Sequence, residues 1–229
     1  FAYYEELKGL VKKYRTNFLF ETNVGAGLPV ISTINDMIKS GDEVLEIQGV
    51  LSGSLNFIFN TYDGSRTFAD VVRQAKAEGY TEPDPRLDIS GKDVMRKLLI
   101  LAREAGYKLE EGEVDAIPCV PEGCMAYEGE AFFEALEKEE AYFKKMYDKA
   151  NKEGKKLKYV AKFDGKEAST QPVEVTSDHP FYNLDGKDNI VLFKTRRYHA
   201  QPLVIKGAGA GAEVTASGIF ADIIKIANS

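Results

Sequence analysis

The stretch GYTEPDPRLDISGKDVMRK, residues 79–97, limits what this chain can fold into more than any other. Pro83 and Pro85 fix their own φ angles and push Glu82 and Asp84 into extended geometry, so neither a helix interior nor a central strand can run through them. The result is a stiff loop that presents Glu82, Asp84 and Asp88. From Ser90 the spacing changes. Met95, Leu98, Leu99 and Ala102 fall on one side of a helix predicted over 91–105, while Asp93 and Lys97, four apart, are neighbours on one helical face. A rigid acidic loop therefore feeds an amphipathic helix that carries a lysine in its second turn.

The remaining elements must be arranged around that unit. Leu7, Leu10, Val11 and Tyr14 predict an amphipathic helix over 3–14, and Phe18 to Val24 reads as a strand. The NVGAGLP segment after it offers two glycines for a sharp turn or a close approach, with Pro29 suited to the first turn of a helix over 30–38. Residues 43–51 alternate as a strand, Ser52-Gly53-Ser54 introduces a short helix, and Thr67 caps another over 68–78. A Pro- and Gly-containing stretch over 110–123 reads as a crossing loop, and 129–153 as one long helix. The last third predicts strands over 157–163, 169–176, 189–195 and 202–206, with a turn at Asp164-Gly165, and then a helix over 214–226. Helices and strands without strict alternation predict an α+β fold, a mixed β-sheet with helices packed on one face.

Composition removes several function classes. At 229 residues and 44% hydrophobic content the chain can build a sizeable core, and its apolar runs are far too short for a membrane span. A formal charge of −6, with no basic cluster larger than Lys194, Arg196 and Arg197, argues against a nucleic-acid surface. Cys119 and Cys124 have no second Cys pair, and the chain holds two histidines, His179 and His199, so two free thiols in a reducing cytoplasm are expected in place of a zinc site. The abrupt opening on a helix, without Met or cap, suggests a start inside a larger polypeptide. The expected partner is a small molecule.

Four constellations are candidates for chemistry. A lysine early in an apolar helix can be partly desolvated and transfer a proton, with Asp93 orienting Lys97; spacing alone favours an ordinary surface ion pair worth about 0.3–0.5 kcal/mol. Glu82 and Asp84 on a rigid loop could bind a substrate ammonium, or could simply be a solvated turn. The main chain of NVGAGLP could converge on a cation with Glu21 as the charged ligand, or merely connect strand to helix. GAGAG at 207–211 sits where phosphate-cradling loops sit, between strand and helix, but lacks the spacing and the acidic residue of a dinucleotide fingerprint.

Four separated motifs resemble the homoserine dehydrogenase family, in particular its occurrence at the C-terminal end of bifunctional aspartokinase–homoserine dehydrogenases: FETNVGAGLPVI at 20–31, GVLSGSLNFIFN at 49–60, the stretch from Gly79 to Glu104, and KGAGAGAEVTASGIFADII at 206–224. The resemblance implies NAD(P)-dependent interconversion of L-homoserine and L-aspartate 4-semialdehyde, toward threonine, methionine and isoleucine, by a homodimer or higher homo-oligomer in the cytoplasm. It implies Lys97 as the catalytic lysine, Asp93 and Glu82 as substrate-binding acids with Glu82 reading the amino group, and Gly79 and Gly211 near the NAD or NADP cofactor. A monovalent cation, sodium, would be held by Glu21 and the main chain of Val24, Ala26 and Leu28. Leu87 departs from the family's usual Asp. The family's N-terminal Rossmann domain, with its Gly-rich loop, has no counterpart before Phe1. The expectation is a catalytic and dimerisation domain over 1–229, inactive by itself, whose final segment, 212–229, packs on that missing domain. The competing expectation is a non-catalytic ligand-binding or oligomerisation module.

Overall fold

The computed structural model describes residues 3–228, so Phe1, Ala2 and Ser229 at the ends of the predicted domain and final helix lie outside the described residues. In chain order the elements are α1 (Tyr4–Tyr14), α2 (Ile31–Lys39), β1 (Val44–Val50), α3 (Gly53–Thr61), α4 (Phe68–Ala77), α5 (Arg86–Ile89), α6 (Lys92–Glu104), β2 (Val114–Ala116), α7 (Glu130–Lys138), α8 (Glu140–Lys152), β3 (Lys156–Phe163), β4 (Ala168–Val175), β5 (Asn189–Thr195), β6 (Leu203–Gly207) and α9 (Ala212–Ala227). The strands form one six-stranded sheet in the order β2-β4-β3-β1-β5-β6. Every pairing is antiparallel except β2 with β4. Pro172 lies in β4 beyond the three residues that pair with β2, where its missing N–H leaves no ladder bond unmade. The mixed sheet is the α+β architecture that the periodicities predict.

Alternation along the strands separates two cores. Ile47, Tyr159, Ala161, Phe163, Val191 and Phe193 face the main core with the buried apolar residues of α2 to α8. Val50, Val160, Ile190 and Leu192 point the other way and are covered by Phe181 and Leu184 from the 176–188 segment. The helices thus occupy one face and an irregular segment the other.

Helix α6 is pressed onto the sheet by Val94, Met95, Leu98, Leu99, Leu101 and Ala102, all buried. Its N-cap, Gly91, has φ +70, and a Cβ there would lie 2.1 Å from the Tyr159 hydroxyl oxygen, so only glycine permits this approach of helix to strand. Tyr159 is itself fixed by donating to the Ile117 carbonyl at 2.9 Å.

Three local expectations are corrected. The strand predicted over 18–24 does not form: residues 16–20 lie along the surface and Glu21–Asn23 make a single 3₁₀ turn, because no neighbouring strand is offered to them. The helix predicted over 129–153 breaks at Glu139, where ψ is 11°. The break lets Phe132, Phe133 and Leu136 bury in the core while Phe143 stacks on Phe68, ring centroids 4.0 Å apart. It also aims Glu140 at α4, where its carboxylate accepts the Phe68 N–H at 2.7 Å and the Tyr62 hydroxyl at 2.6 Å. The predicted crossing loop contributes β2, which extends the sheet.

Candidate active site

Strand register gathers the site. Val50 at the end of β1 pairs with Ile190, and Asn189 at the start of β5 pairs with Gly207 at the end of β6. Ser52 to Ser54, Lys187 and the Gly209–Gly211 loop therefore emerge at one end of the sheet. The acidic loop and the first turns of α6 complete the walls. The open cleft between them measures about 490 Å³ and is lined by Ser52, Gly53, Ser54, residues 79–82, Asp88, Asp93, Lys97, Lys187 and residues 209–211.

Lys97 lies on its floor. Its ammonium donates to the Leu51 carbonyl at 2.9 Å and pairs with Asp93 at 2.7 Å, with the lysine side chain mostly covered and the carboxylate largely exposed. The i, i+4 pair is therefore real, but it is more than a surface pair, because the buried carbonyl at the β1–α3 junction pins the lysine against the sheet end. Glu82 is exposed at the cleft wall.

The other loop acids divide. Asp84 faces away: Arg86 donates to both its oxygens, at 3.0 and 2.6 Å, and holds its carboxyl below the ordinary carboxylate range. The possibility that Asp84 shares an ammonium site with Glu82 is corrected by that capture. Asp88, to which spacing assigned no separate role, enters the cleft instead. One of its oxygens accepts the Ser54 hydroxyl and the other the Glu82 N–H, both at 2.9 Å. Ser52 in turn caps α3 by accepting the Leu55 N–H at 3.2 Å. Asp88 thereby ties the stiff loop to α3. The only sequence signal for it was the density of acids in the loop.

Glycines line the mouth in different ways. Gly79, with φ +71, and Gly211, with φ +127, both need backbone freedom and both face the cleft. Gly209 presses on Asn189, whose amide is buried with neither of its polar atoms bonded among the described residues. As a fit for a dinucleotide these backbones provide one wall and no more, since β1, β5 and β6, whose ends carry the cleft, pair antiparallel and form no βαβ crevice there among the described residues in which a pyrophosphate could be cradled.

The residues expected to hold a cation also support the local structure. Glu21 accepts the Ile31 N–H at 2.6 Å and the Ser32 N–H at 3.0 Å, capping α2 from ten residues upstream. Leu28 gives its carbonyl to the Val30 N–H at 2.8 Å. Val24 is fully buried and Ala26 sits at φ 53 in a loop against which α9 lies. A Cβ on Gly27 would come within 2.4 Å of the Val214 carbonyl, and one on Gly218 within 2.6 Å of Thr22, so these glycines serve helix approach. Asp222 accepts the Glu21 N–H at 3.0 Å and completes the seam. No group of three or more His, Cys, Asp or Glu side chains suited to a metal occurs among the described residues. Cys119 and Cys124 are free and buried, and among the described residues no helix is long and apolar enough to cross a membrane.

The far side of α9 is inverted relative to a soluble helix. It buries Gly218 and Asp222 while Ile219, Phe220, Ile223, Ile224 and Ile226 are exposed. Helix α1 buries no residue and is anchored by polar contacts, with Tyr4 donating to Glu104 at 2.7 Å and Lys8 at 2.8 Å.

Fold and cleft together define an α+β domain that presents a lysine among carboxylates at the end of a mixed sheet. The family model for homoserine dehydrogenase matches residues 29–224. The chain belongs to the homoserine dehydrogenase family. A bifunctional aspartokinase/homoserine dehydrogenase of Arabidopsis thaliana is 43% identical over 227 residues, 98% of this chain and 25% of that protein. A homoserine dehydrogenase of Schizosaccharomyces pombe is 41% identical over 97% of this chain and 62% of its own length. Among solved structures, a hyperthermophilic archaeal homoserine dehydrogenase in complex with NADPH superimposes with a TM-score of 0.75 at 27% identity, covering 98% of this chain and 60% of the other. A Candida auris protein of unknown function reaches a TM-score of 0.86 at 44% identity, over 91% and 60%. This chain thus spans a quarter of the bifunctional relative and under two thirds of the shorter ones.

Proposed function

We propose that this chain is the substrate-binding and proton-transferring part of a longer, nicotinamide-dependent enzyme that interconverts L-homoserine and L-aspartate 4-semialdehyde. The observation that carries the reading is Lys97, whose ammonium is held at 2.9 Å by the Leu51 carbonyl and at 2.7 Å by Asp93 on the floor of an acid-lined cleft. In the reducing direction Lys97 gives a proton to the substrate's carbonyl oxygen as negative charge develops there, and in the oxidising direction it takes the proton back. Asp93 keeps the ammonium turned toward the cleft. Glu82, exposed on a loop stiffened by two prolines, receives the substrate's ammonium without first having to be ordered. Gly79 and Gly211 leave room at the mouth for the cofactor, which when bound supplies the hydride. NADPH in the archaeal neighbour supports a nicotinamide in this role.

The Rossmann portion belongs to sequence outside this chain. In this reading the apolar face of α9, and the exposed Leu7 and Leu10 of α1, are covered in the whole enzyme by that portion. Exposed apolar area of this extent supports it. The enzyme works as a homo-oligomer in the compartment where its amino acids are made, and its relatives include chloroplastic proteins. The test is Lys97→Ala in the full-length enzyme. Homoserine oxidation should fall by a factor of about 10²–10⁴ with unchanged folding. Unchanged turnover with altered assembly would instead support a non-catalytic module, and NADPH turnover by the isolated chain would refute its dependence on a second domain.

A further inference from the structure

A second lysine lies behind the cleft wall. Lys158 on β3 is fully buried, and its three ammonium arms meet three uncharged oxygens: Asn56 Oδ1 at 2.9 Å, Asn60 Oδ1 at 2.6 Å and the Leu184 carbonyl at 2.6 Å. The two asparagines extend the grip. Asn56 donates to the Gly186 and Asp188 carbonyls at 3.0 and 3.3 Å, and Asn60 to those of Leu184 and Gly186 at 3.0 and 3.2 Å. Helix α3 is thus sewn to the 184–188 segment by bonds that all pass through or beside one buried ammonium.

Both elements reach the cleft. Helix α3 begins at Gly53, between Ser52 and Ser54, and the segment carries Lys187. They touch there, since a Cβ on Gly53 would lie 2.8 Å from the Lys187 carbonyl. An apolar side chain could fill position 158 without the cost of burying an unpaired charge, so a role other than packing is the better account of the lysine.

We propose that Lys158 is a positioning residue for the substrate side of the cleft, clamping α3 to the 184–188 segment and so setting the separation between the Ser52–Ser54 lip and Lys187. The inference rests on the catalytic reading above. Three donors match three acceptors only while the amine is protonated; the neutral amine has two donors and must give up one of the three contacts that hold the clamp. Burial pulls the Lys158 pKa down to about 8, and the charges that act on it are Lys156 on its own strand and Lys206 on β6, which lower it further, and Asp185 in the clamped segment, which raises it. Helix α3 faces it with neutral amides alone.

The test uses the full-length enzyme. Lys158→Met should raise the KM for homoserine about tenfold, leave the KM for the nicotinamide cofactor unchanged, and abolish an alkaline rise in the homoserine KM that the unsubstituted enzyme shows. Asp185→Asn and Lys156→Gln, at solvent-accessible positions, test the same point should the buried variant fail to fold. The first should move that rise to lower pH and the second to higher pH, each by about 0.3 unit, as expected for partly screened charges. An unchanged homoserine KM in folded Lys158→Met overturns the inference, as does a failure of the two surface variants to shift the rise in opposite directions. Absence of homoserine oxidation in the unsubstituted enzyme would instead remove the catalytic reading itself.

Discussion

Gly91→Ala should unsettle both stability and catalysis, and the size of the effect follows from its surroundings. The residue sits at φ 70 and ψ 1, a left-handed conformation that costs an L-residue roughly 1–2 kcal/mol. The added Cβ would lie 2.1 Å from the Tyr159 hydroxyl oxygen and 2.7 Å from its Cζ, both far inside contact distance. Tyr159 is 1% exposed, so its ring cannot swing into solvent, and displacing it breaks the 2.9 Å bond to the Ile117 carbonyl. An unpaired buried group costs about 1–3 kcal/mol, so the whole loss comes to about 2–5 kcal/mol. Urea unfolding followed by far-ultraviolet circular dichroism measures it directly. Tyr159→Phe in the same background removes the nearest clashing atom and should return part of the loss, giving a coupling energy that neither single substitution shows. A destabilisation below about 1 kcal/mol, or strict additivity of the two changes, would refute the claim that glycine is required for this helix to approach the sheet. Because Asp93 is two residues and Lys97 six residues further along, the same substitution should lower homoserine turnover even where the protein stays folded.

Asp88→Ala should raise the KM for homoserine severalfold, because it removes the acceptors of both the Ser54 hydroxyl and the Glu82 N–H; steady-state kinetics of the full-length enzyme would show it. The Arg86 guanidinium keeps the Asp84 pKa depressed, so this pair contributes stability that is complete above the unfolded carboxylate value of about 3.9 and is lost as pH falls through the lower folded value. The stability difference between the chain and its Arg86→Gln variant should therefore be constant near neutrality and shrink in acid; a difference unchanged down to pH 2 would contradict the pairing. Phe220→Glu and Ile223→Glu, at side chains 62% and 55% exposed, should leave the unfolding midpoint of the isolated chain unaltered while reducing its self-association in analytical ultracentrifugation.

Much of this could be read from local pattern. The i, i+4 placement of Asp93 and Lys97, the proline-stiffened loop, the polar alternation of the last strands and the helix stop at Gly106 depend on residues within a turn or two of one another, and the local forces suffice. The roles proposed for Glu82 and Lys97 come from the resemblance, since spacing alone left them as ordinary surface charges. Failures lie where partners are remote. Asp84 and Asp88 share one loop and one chemistry, yet Arg86 takes the first and Ser54, from 34 residues away, takes the second. The strand predicted over 18–24 had suitable residues but no neighbour to pair with, since a strand is stable only through another strand that its own sequence does not name. The helix over 129–153 had an unbroken helical pattern and was divided at Glu139 by the demands of Phe68 and Tyr62.

Sequence by itself thus determined the chemistry available to this protein: a lysine, a set of carboxylates and glycines at the hinges of a mixed sheet. Tertiary structure decided which of those groups share the cleft. The register of β1, β5 and β6 brings the Ser52 lip, the Lys187 segment and the 209–211 loop to one end of the sheet, and a one-residue slip would turn every strand side chain to the opposite face. That register is set by packing across the whole sheet, which no local stretch of the sequence encodes.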